Sequence, residues 1–166
     1  MRLRKKPWIE KALPEVVEAG FLYKDDIGRF KGHWQDRFPG KELCLEIGCG
    51  KGSFITGMAQ LHPEKAFIGI ETQSDIAYYP AKKAQDLGLT NVVILAADAA
   101  YMEDWFAPGE IRTLYLNFSD PWPKKKQAKR RLTHRNFLGV YKKILGNGGR
   151  LFFKTDNRSL FERIPE

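Results

Sequence analysis

The sequence predicts an α/β protein with a doubly wound, mostly parallel sheet. From residue 41 onward, short apolar runs alternate with segments whose apolar residues recur at helical spacing. A glycine-rich turn follows the first run, and an acidic residue lies at or just beyond the end of each of the first four. Strands that alternate with helices imply right-handed parallel crossovers, which bring the carboxyl ends of the strands to one edge of the sheet. Ligands bind at that edge in open α/β sheets.

The elements are predicted in the order of a Rossmann-like fold. The runs that predict strands are Leu43–Ile47, Ala66–Ile70, Val92–Ala96, Thr113–Leu116 and Arg150–Phe153. The segments that predict helices are Ser53–Leu61, Ser74–Leu87, a short one around Glu103–Phe106, His134–Leu145 and one that starts near Arg158. Because Pro121 and Pro123 lack the amide hydrogen that a strand ladder needs, the fourth strand ends before them and presents Asp120 at its carboxyl end.

Residues 1–40 are predicted to form a basic and aromatic N-terminal extension. Proline and glycine interrupt it repeatedly and no apolar period persists, so we expect irregular structure there. Two interpretations are open: an arm packed over the sheet, or RNA contact through the Arg2–Lys6 cluster and through His33 and Trp34. Residues 41–166 form one Rossmann-like domain. We expect that domain to be truncated, because the chain stops soon after the fifth strand and leaves it as an exposed edge.

Composition and charge restrict the classes of partner. The 166 residues, 43% of them hydrophobic, suffice for one domain with a substantial core. The formal net charge is +8, and no Asp or Glu lies between Asp120 and Asp156, whereas Lys and Arg recur throughout that stretch. So long a stretch of one sign indicates a polyanion such as nucleic acid as partner, although charge runs also occur as solvated helix faces.

The remaining composition argues against disulfides, metal sites and membrane association. Cys44 and Cys49 fit neither a disulfide framework nor the spacing of a zinc site, so we expect free thiols and no metal. No apolar stretch has the length of a signal peptide core or of a membrane span. The sequence therefore predicts a cytoplasmic protein with no membrane partner.

The first predicted strand runs into a glycine-rich loop, Glu46-Ile47-Gly48-Cys49-Gly50-Lys51-Gly52, which opens directly into a helix. The glycines, Gly48 and Gly50 among them, let the backbone turn sharply and approach a ligand without an intervening Cβ. A dinucleotide fingerprint would require a third glycine at residue 53, which is Ser53, so NAD is disfavoured. A strand, an acid and glycines two residues apart are similar instead to motif I of S-adenosylmethionine-dependent methyltransferases.

Two further acids fit the same cofactor. Glu71 ends the second predicted strand about twenty residues beyond the glycines, where a carboxylate can accept hydrogen bonds from both ribose hydroxyls. Asp98 follows the third strand, where it can accept from the exocyclic amine of adenine. Each acid can instead be a helix cap or an ordinary loop residue.

A more distinctive pattern follows the fourth strand. Asp120-Pro121-Trp122-Pro123-Lys124, the later Lys129-Arg130-Arg131 and then Lys154-Thr155-Asp156-Asn157 together resemble the bacterial tRNA (guanine-N7-)-methyltransferase family. The resemblance extends from about Trp34 to Glu162. It implies a class I S-adenosylmethionine-dependent methyltransferase domain at residues 41–166, and methyl transfer to N7 of the guanine at position 46, in the variable loop of tRNA.

The resemblance also assigns residues. The family's cofactor contacts fall on Glu46, Glu71, Asp98 and Asp120, beside the loop glycines Gly48 and Gly50, and Asp120 is also the proposed catalytic acid. The substrate contacts fall on Lys124 and Asp156. The segment that interacts with RNA falls on Lys126, Gln127, Ala128, Lys129, Arg130 and Arg131, with Gln127 at the position of a His common in the family. The family's later Thr-x-Tyr/Phe-Glu element has no counterpart in this chain.

The methyl transfer that the resemblance implies does not require a general base. Guanine N7 carries an in-plane lone pair, so its attack on a sulfonium methyl requires positioning and electrostatic stabilisation rather than deprotonation. A carboxylate at Asp120 would favour the cationic guanine that develops. Asp120 or Asp156 could also accept from guanine N1–H and its exocyclic amine. Trp122 could stack on a base or fill the core beside the strand end.

Two alternatives remain open at the level of sequence. Asp120-Pro121-Trp122 is similar to the Asp/Asn-Pro-Pro-Tyr element of methyltransferases that act on exocyclic amines. A non-catalytic RNA-binding module is the second alternative, because the basic run is present while the family's C-terminal contacts have no counterpart.

Overall fold

The computed structural model describes residues 6–117, 135–154 and 159–163. Within these ranges the strands are β1 (Leu22–Tyr23), β2 (Glu42–Ile47), β3 (Lys65–Glu71), β4 (Val92–Ala96), β5 (Thr113–Asn117), β6 (Arg150–Lys154) and β7 (Ser159–Arg163). The α-helices are α1 (Pro7–Glu18), α2 (Trp34–Arg37), α3 (Ser53–Leu61), α4 (Ser74–Asp86) and α5 (Arg135–Leu145), and short 3-10 helices cover Ile27–Phe30 and Ala99–Asp104. None of the helices in the described ranges has the length and apolar character needed to cross a membrane.

The strands form one sheet in the order β1-β4-β3-β2-β5-β6-β7. All neighbouring pairs are parallel except β6 and β7, which are antiparallel. The chain adds β3 and β4 on one side of β2 and then returns to add β5 and β6 on the other side. The sheet is therefore doubly wound, as predicted, and the order reverses between β2 and β5, where ligands bind in such folds.

The predicted strands and the three longer helices of residues 41–154 agree with the structure to within two residues at each boundary. The short helix expected around Glu103–Phe106 lies earlier, as the 3-10 helix Ala99–Asp104. The helix expected near Arg158 is wrong, because Ser159–Arg163 is a strand whose backbone pairs with β6 from Arg150↔Arg163 to Lys154↔Ser159. β6 is consequently not an exposed edge, since β7 satisfies its outer backbone groups.

Two hydrophobic cores lie on the two faces of the sheet, because successive strand residues point to opposite faces. One face carries Leu43, Leu45, Ile47, Ile68, Ile70, Leu95, Leu114 and Leu116, which pack with Trp34, Phe106 and Tyr141. The other carries Cys44, Phe67, Val92 and Ile94, which pack with Ile9, Leu13 and Val16 of α1, Ile55 of α3 and Ala77 and Ala81 of α4. Helices cover both faces, as the doubly wound topology requires.

The N-terminal segment is ordered from residue 6, so the irregular structure expected there is wrong. Ile9, Leu13 and Val16 recur at helical spacing and are buried, and this apolar stripe stabilises α1 although Pro14 lies inside the helix. β1 joins the sheet beside β4. Trp34 is completely buried and therefore cannot contact RNA, which supports the packing arm, whereas His33 is exposed. Residues 1–5 of the basic cluster lie outside the described residues.

Candidate functional site

Three predicted cofactor acids lie at one edge of the sheet. β4, β3 and β2 are adjacent and parallel, so their carboxyl ends meet. Glu46 is the penultimate residue of β2, Glu71 is the last residue of β3, and Asp98 lies two residues beyond β4. The topology thus brings together side chains that are up to 52 residues apart in the printed sequence.

The glycine-rich loop joins β2 to α3 and remains attached to the sheet. The amides of Gly48 and Cys49 both donate to the carbonyl of Ile70, at 2.9 and 3.2 Å. A Cβ on Gly50, whose φ is +53°, would meet no atom of the described residues within 4 Å, whereas one on Gly52 would lie 2.4 Å from Pro80 Cβ. The loop therefore packs tightly where it enters α3 and leaves open space beside Gly50, as a loop that approaches a ligand should.

Glu71 shapes this loop as well as facing the site. Its Oε1 accepts from the Gly50 amide at 3.2 Å and its Oε2 from the Gln73 amide at 3.3 Å. Burial raises the pKa of Glu71, and those backbone amides partly oppose the shift. A carboxylate oxygen can accept two hydrogen bonds, so each oxygen of Glu71 can also accept one from a ligand hydroxyl.

Asp98 acts as the helix cap that the sequence left open as an alternative. It precedes the 3-10 helix Ala99–Asp104, and its Oδ1 accepts from the Ala100 amide at 2.9 Å. The side chain is exposed at the carboxyl edge. Capping uses one of the two carboxylate oxygens, so this role does not compete with hydrogen bonding to a ligand amine.

Glu46 is the most deeply buried of the three acids, with 3% of its surface exposed. Its Oε2 accepts a hydrogen bond from Nδ2 of Asn117, the last residue of β5. Sequence reasoning missed Asn117, although this residue directly follows the predicted strand Thr113–Leu116 and so lies at that strand's carboxyl end. Asn117 extends the site across the point where the strand order reverses.

The remaining predicted site residues lie outside the described residues. They are Asp120, Trp122, Lys124, Lys126 to Arg131, and Asp156. The prediction of free thiols is confirmed for both cysteines, which are buried. Burial raises the pKa of Cys44 to about 12 and that of Cys49 well above its ordinary value, so neither is a reactive thiolate at neutral pH. The described part of the chain contains no cluster of side chains that could hold a metal ion.

Comparison of the sequence with known families and proteins gives a consistent result. The model of a family described as putative methyltransferase matches residues 40–166. The chain is 46% identical over 163 residues to tRNA (guanine-N(7)-)-methyltransferases of Limosilactobacillus reuteri and Exiguobacterium sibiricum, covering 98% of this chain and 75% of each relative. The enzyme of that name from Bacillus subtilis is 44% identical with the same coverage.

Comparison with solved structures supports the fold. The antibiotic-resistance methyltransferase Kmr aligns with a TM-score of 0.61 and 20% identity, over 76% of this chain and 64% of that one. The aminoglycoside resistance methyltransferase NpmB1 aligns with a TM-score of 0.61 and 21% identity, over 74% and 60% of the two chains. The mostly parallel sheet, the glycine-rich loop and the similarity along 98% of its length show that this chain belongs to the tRNA (guanine-N(7)-)-methyltransferase family.

Proposed function

We propose that this methyltransferase modifies N7 of the guanine at position 46 in the variable loop of tRNA. S-adenosylmethionine is the methyl donor. Family membership supports guanine N7 of tRNA as the target, and the resemblance of the Asp120–Lys124 motif supports position 46. The observation that carries the proposal is the convergence of Glu46, Glu71 and Asp98 with the glycine-rich loop at the carboxyl edge of the sheet. Because tRNA is a cytoplasmic molecule, we place the reaction in the cytoplasm.

The described residues fit the three chemical parts of this cofactor. The Glu46 carboxylate suits the ammonium group of the amino-acid end, because the charges are opposite and each carboxylate oxygen can accept more than one N–H donor. Glu71 suits the ribose hydroxyls, and Asp98 suits the adenine amine. Gly48 and Gly50 allow the backbone to approach the cofactor, and the open space beside Gly50 is where a side chain would obstruct it.

The residues assigned to guanine and RNA act through charge and position. S-adenosylmethionine supplies an electrophilic methyl group, and the N7 lone pair needs no general base. Asp120, three residues after the end of β5 in the sequence, stabilises the positive charge that develops on guanine. Lys124 and Asp156 contact the base. The segment Lys126–Arg131 neutralises tRNA phosphates, which makes binding depend on salt concentration.

The experiment that tests this function identifies the methylated nucleoside. The protein is incubated with tRNA and S-adenosylmethionine labelled in the methyl group, and the tRNA is then digested and its nucleosides are separated. We expect the label in N7-methylguanosine, and we expect its loss when guanine 46 of the tRNA is replaced by adenine. A label on an exocyclic amine would support the alternative methyltransferase. Binding of tRNA without any transfer would support the non-catalytic module.

The role of Asp120 is tested in the same assay. Asp120→Asn keeps the shape of the side chain and removes its charge. If the carboxylate stabilises the cationic guanine, turnover at saturating donor should fall on the order of 10²-fold, as for other preorganised electrostatic contacts. The dissociation constants of donor and tRNA are measured alongside, since Asp120 is also assigned to the cofactor. Turnover within about twofold of the parent would make Asp120 an ordinary turn residue.

A further inference from the structure

Asn117 shares a face of the sheet with the buried acid of the cofactor site. In the parallel ladder between β2 and β5, Glu46 pairs with Tyr115 and Ile47 with Leu116. Because side chains two residues apart on a strand point to the same face, Asn117 lies on the face of Glu46 and Tyr115, one step nearer the carboxyl edge. Its backbone carbonyl lies 3.3 Å from the position of a Cβ on Gly48. Asn117 is therefore close to both: its side chain bonds to Glu46 and its backbone lies against Gly48 of the glycine-rich loop.

The hydrogen bond to Glu46 determines which way the Asn117 amide faces. An ionised carboxylate only accepts hydrogen bonds, so the NH₂ group of Asn117 must be the atom that faces it. Nδ2 donates to Glu46 Oε2, and the amide oxygen Oδ1 points elsewhere as a result. Oδ1 is buried and has no hydrogen-bond partner among the described residues. A buried amide oxygen without a donor is unfavourable, and such an atom at a binding edge marks a position for a donor supplied by a ligand.

We propose that Asn117 is a further cofactor-binding residue that recognises the α-ammonium group of S-adenosylmethionine together with Glu46. This inference rests on the proposed function. An ammonium group has three N–H donors and no acceptor, so one carboxylate cannot satisfy it alone. Asn117 Oδ1 accepts one of these hydrogen bonds, while Nδ2 holds the Glu46 carboxylate in place. The amide adds an acceptor without adding a second negative charge beside the buried acid, which an aspartate would do.

The test compares ligands that differ at the amino-acid end. Isothermal titration calorimetry measures the affinity of the parent and of Asn117→Leu for S-adenosylhomocysteine, for its analogue with hydrogen in place of the amino group, and for methylthioadenosine, which lacks the amino-acid end. In the Leu variant we expect the affinity for S-adenosylhomocysteine to fall roughly 10- to 100-fold, the size expected for a hydrogen bond to a charged group. Affinity for the other two ligands should change less than about twofold.

Controls separate recognition from folding. Tyr115→Phe changes the same face of β5 two residues away and should leave all three affinities unchanged. Asn117→Ser, which is smaller and polar, serves as the second variant if the Leu variant does not fold, and it should show the same selective loss. Equal losses for all three ligands would overturn the proposal, because Asn117 would then only maintain the fold. Unchanged affinity for S-adenosylhomocysteine would also overturn it. Absence of any binding by the parent would instead overturn the assignment of the donor, and this inference with it.

Discussion

Two regions of the molecule differ in how far along the sequence their hydrogen-bond partners lie. They are the N-terminal segment, residues 6–40, and the strand–loop–strand unit, residues 42–73. In the strand–loop–strand unit, Gly50 is tied to Glu71, only 21 residues away. In the N-terminal segment, the indole Nε1 of Trp34 donates to the carbonyl of Trp105, 71 residues away. The glycine-rich loop therefore bonds to the neighbouring strand β3, through Ile70 and Glu71, whereas the anchor of the N-terminal segment bonds to a distant part of the chain.

The anchor of the N-terminal segment shows what distant contacts contribute. Trp34 stacks between Phe30, at a ring separation of 4.6 Å, and Phe106, at 5.7 Å. The Glu110 carboxylate accepts from the backbone amides of Gly32 at 2.9 Å and Trp34 at 3.2 Å. These groups satisfy backbone amides in the turn that joins the 3-10 helix Ile27–Phe30 to α2. A stretch rich in glycine and proline is thus ordered when residues elsewhere in the chain complete its hydrogen bonds.

Removal of Trp34, the anchor of the N-terminal segment, should lower the free energy of unfolding the most. Trp34→Ala should reduce the free energy of unfolding by about 3–5 kcal/mol, because it empties a fully buried site and leaves the Trp105 carbonyl without its donor. Urea denaturation followed by circular dichroism measures the loss. The matched control is Trp8→Ala in α1, whose side chain is 51% exposed and whose replacement should change stability by less than about 1 kcal/mol. Similar losses in both variants would contradict the anchoring role of Trp34.

The next effect concerns the glycine-rich loop. Gly52 has φ +90°, and a Cβ there would lie 2.4 Å from Pro80 Cβ and 2.7 Å from Pro80 Cα, so Gly52→Ala forces α3 and α4 apart. We expect a loss of about 2–4 kcal/mol from backbone strain and overpacking together. Gly88→Ala is the control for backbone strain alone, since Gly88 has φ +66° and a Cβ there would meet no atom of the described residues within 4 Å. It should lower the free energy of unfolding by about 1–2 kcal/mol. Equal melting temperatures for the two variants would show that contact with Pro80 is unimportant.

A smaller effect tests the hydrogen bonds that tie the N-terminal segment to the domain. Glu110→Gln keeps the volume but replaces one acceptor oxygen with an NH₂ group, which cannot accept from the Trp34 or Gly32 amide. The free energy of unfolding should fall by about 1–2 kcal/mol. Glu103→Gln, at an exposed position near by, should be neutral. Hydrogen exchange should show faster exchange of the Gly32 and Trp34 amides in Glu110→Gln alone, and unchanged exchange rates would contradict their dependence on Glu110.

The smallest effect concerns the pH dependence of stability. Burial raises the folded-state pKa of Glu71, so the folded chain holds a proton at Glu71 more readily than the unfolded chain. The contribution of this group to stability is therefore fully present below its ordinary pKa of 4.5 and is lost as pH rises through the raised value. Glu71→Gln removes that dependence. Urea denaturation of both proteins from pH 4.5 to pH 7 should show the parent losing stability relative to the variant as pH rises, and a constant difference would contradict the burial effect.

The local sequence pattern was sufficient to predict the parallel strands of the core and the acidic residues at their carboxyl ends. β2 to β5 are short buried runs bounded by turns, and the glycine-rich loop requires positive φ values that few other residues adopt, so each is visible within a window of a few residues. The placement of Glu46, Glu71 and Asp98 at one edge could be predicted because parallel crossovers bring every strand's carboxyl end to the same edge.

Elements whose strand neighbours or hydrogen-bond partners lie far along the chain could not be predicted from local sequence. β1 has two residues and exists because β4 offers it a ladder, and β7 replaces an expected helix because β6 offers its outer edge. The hydrogen bond of Asn117 had no local signal, since its partner Glu46 lies 71 residues earlier. The physical reason is that periodicity reports which face of an element is buried, whereas hydrogen-bond partners and strand neighbours depend on where the chain returns.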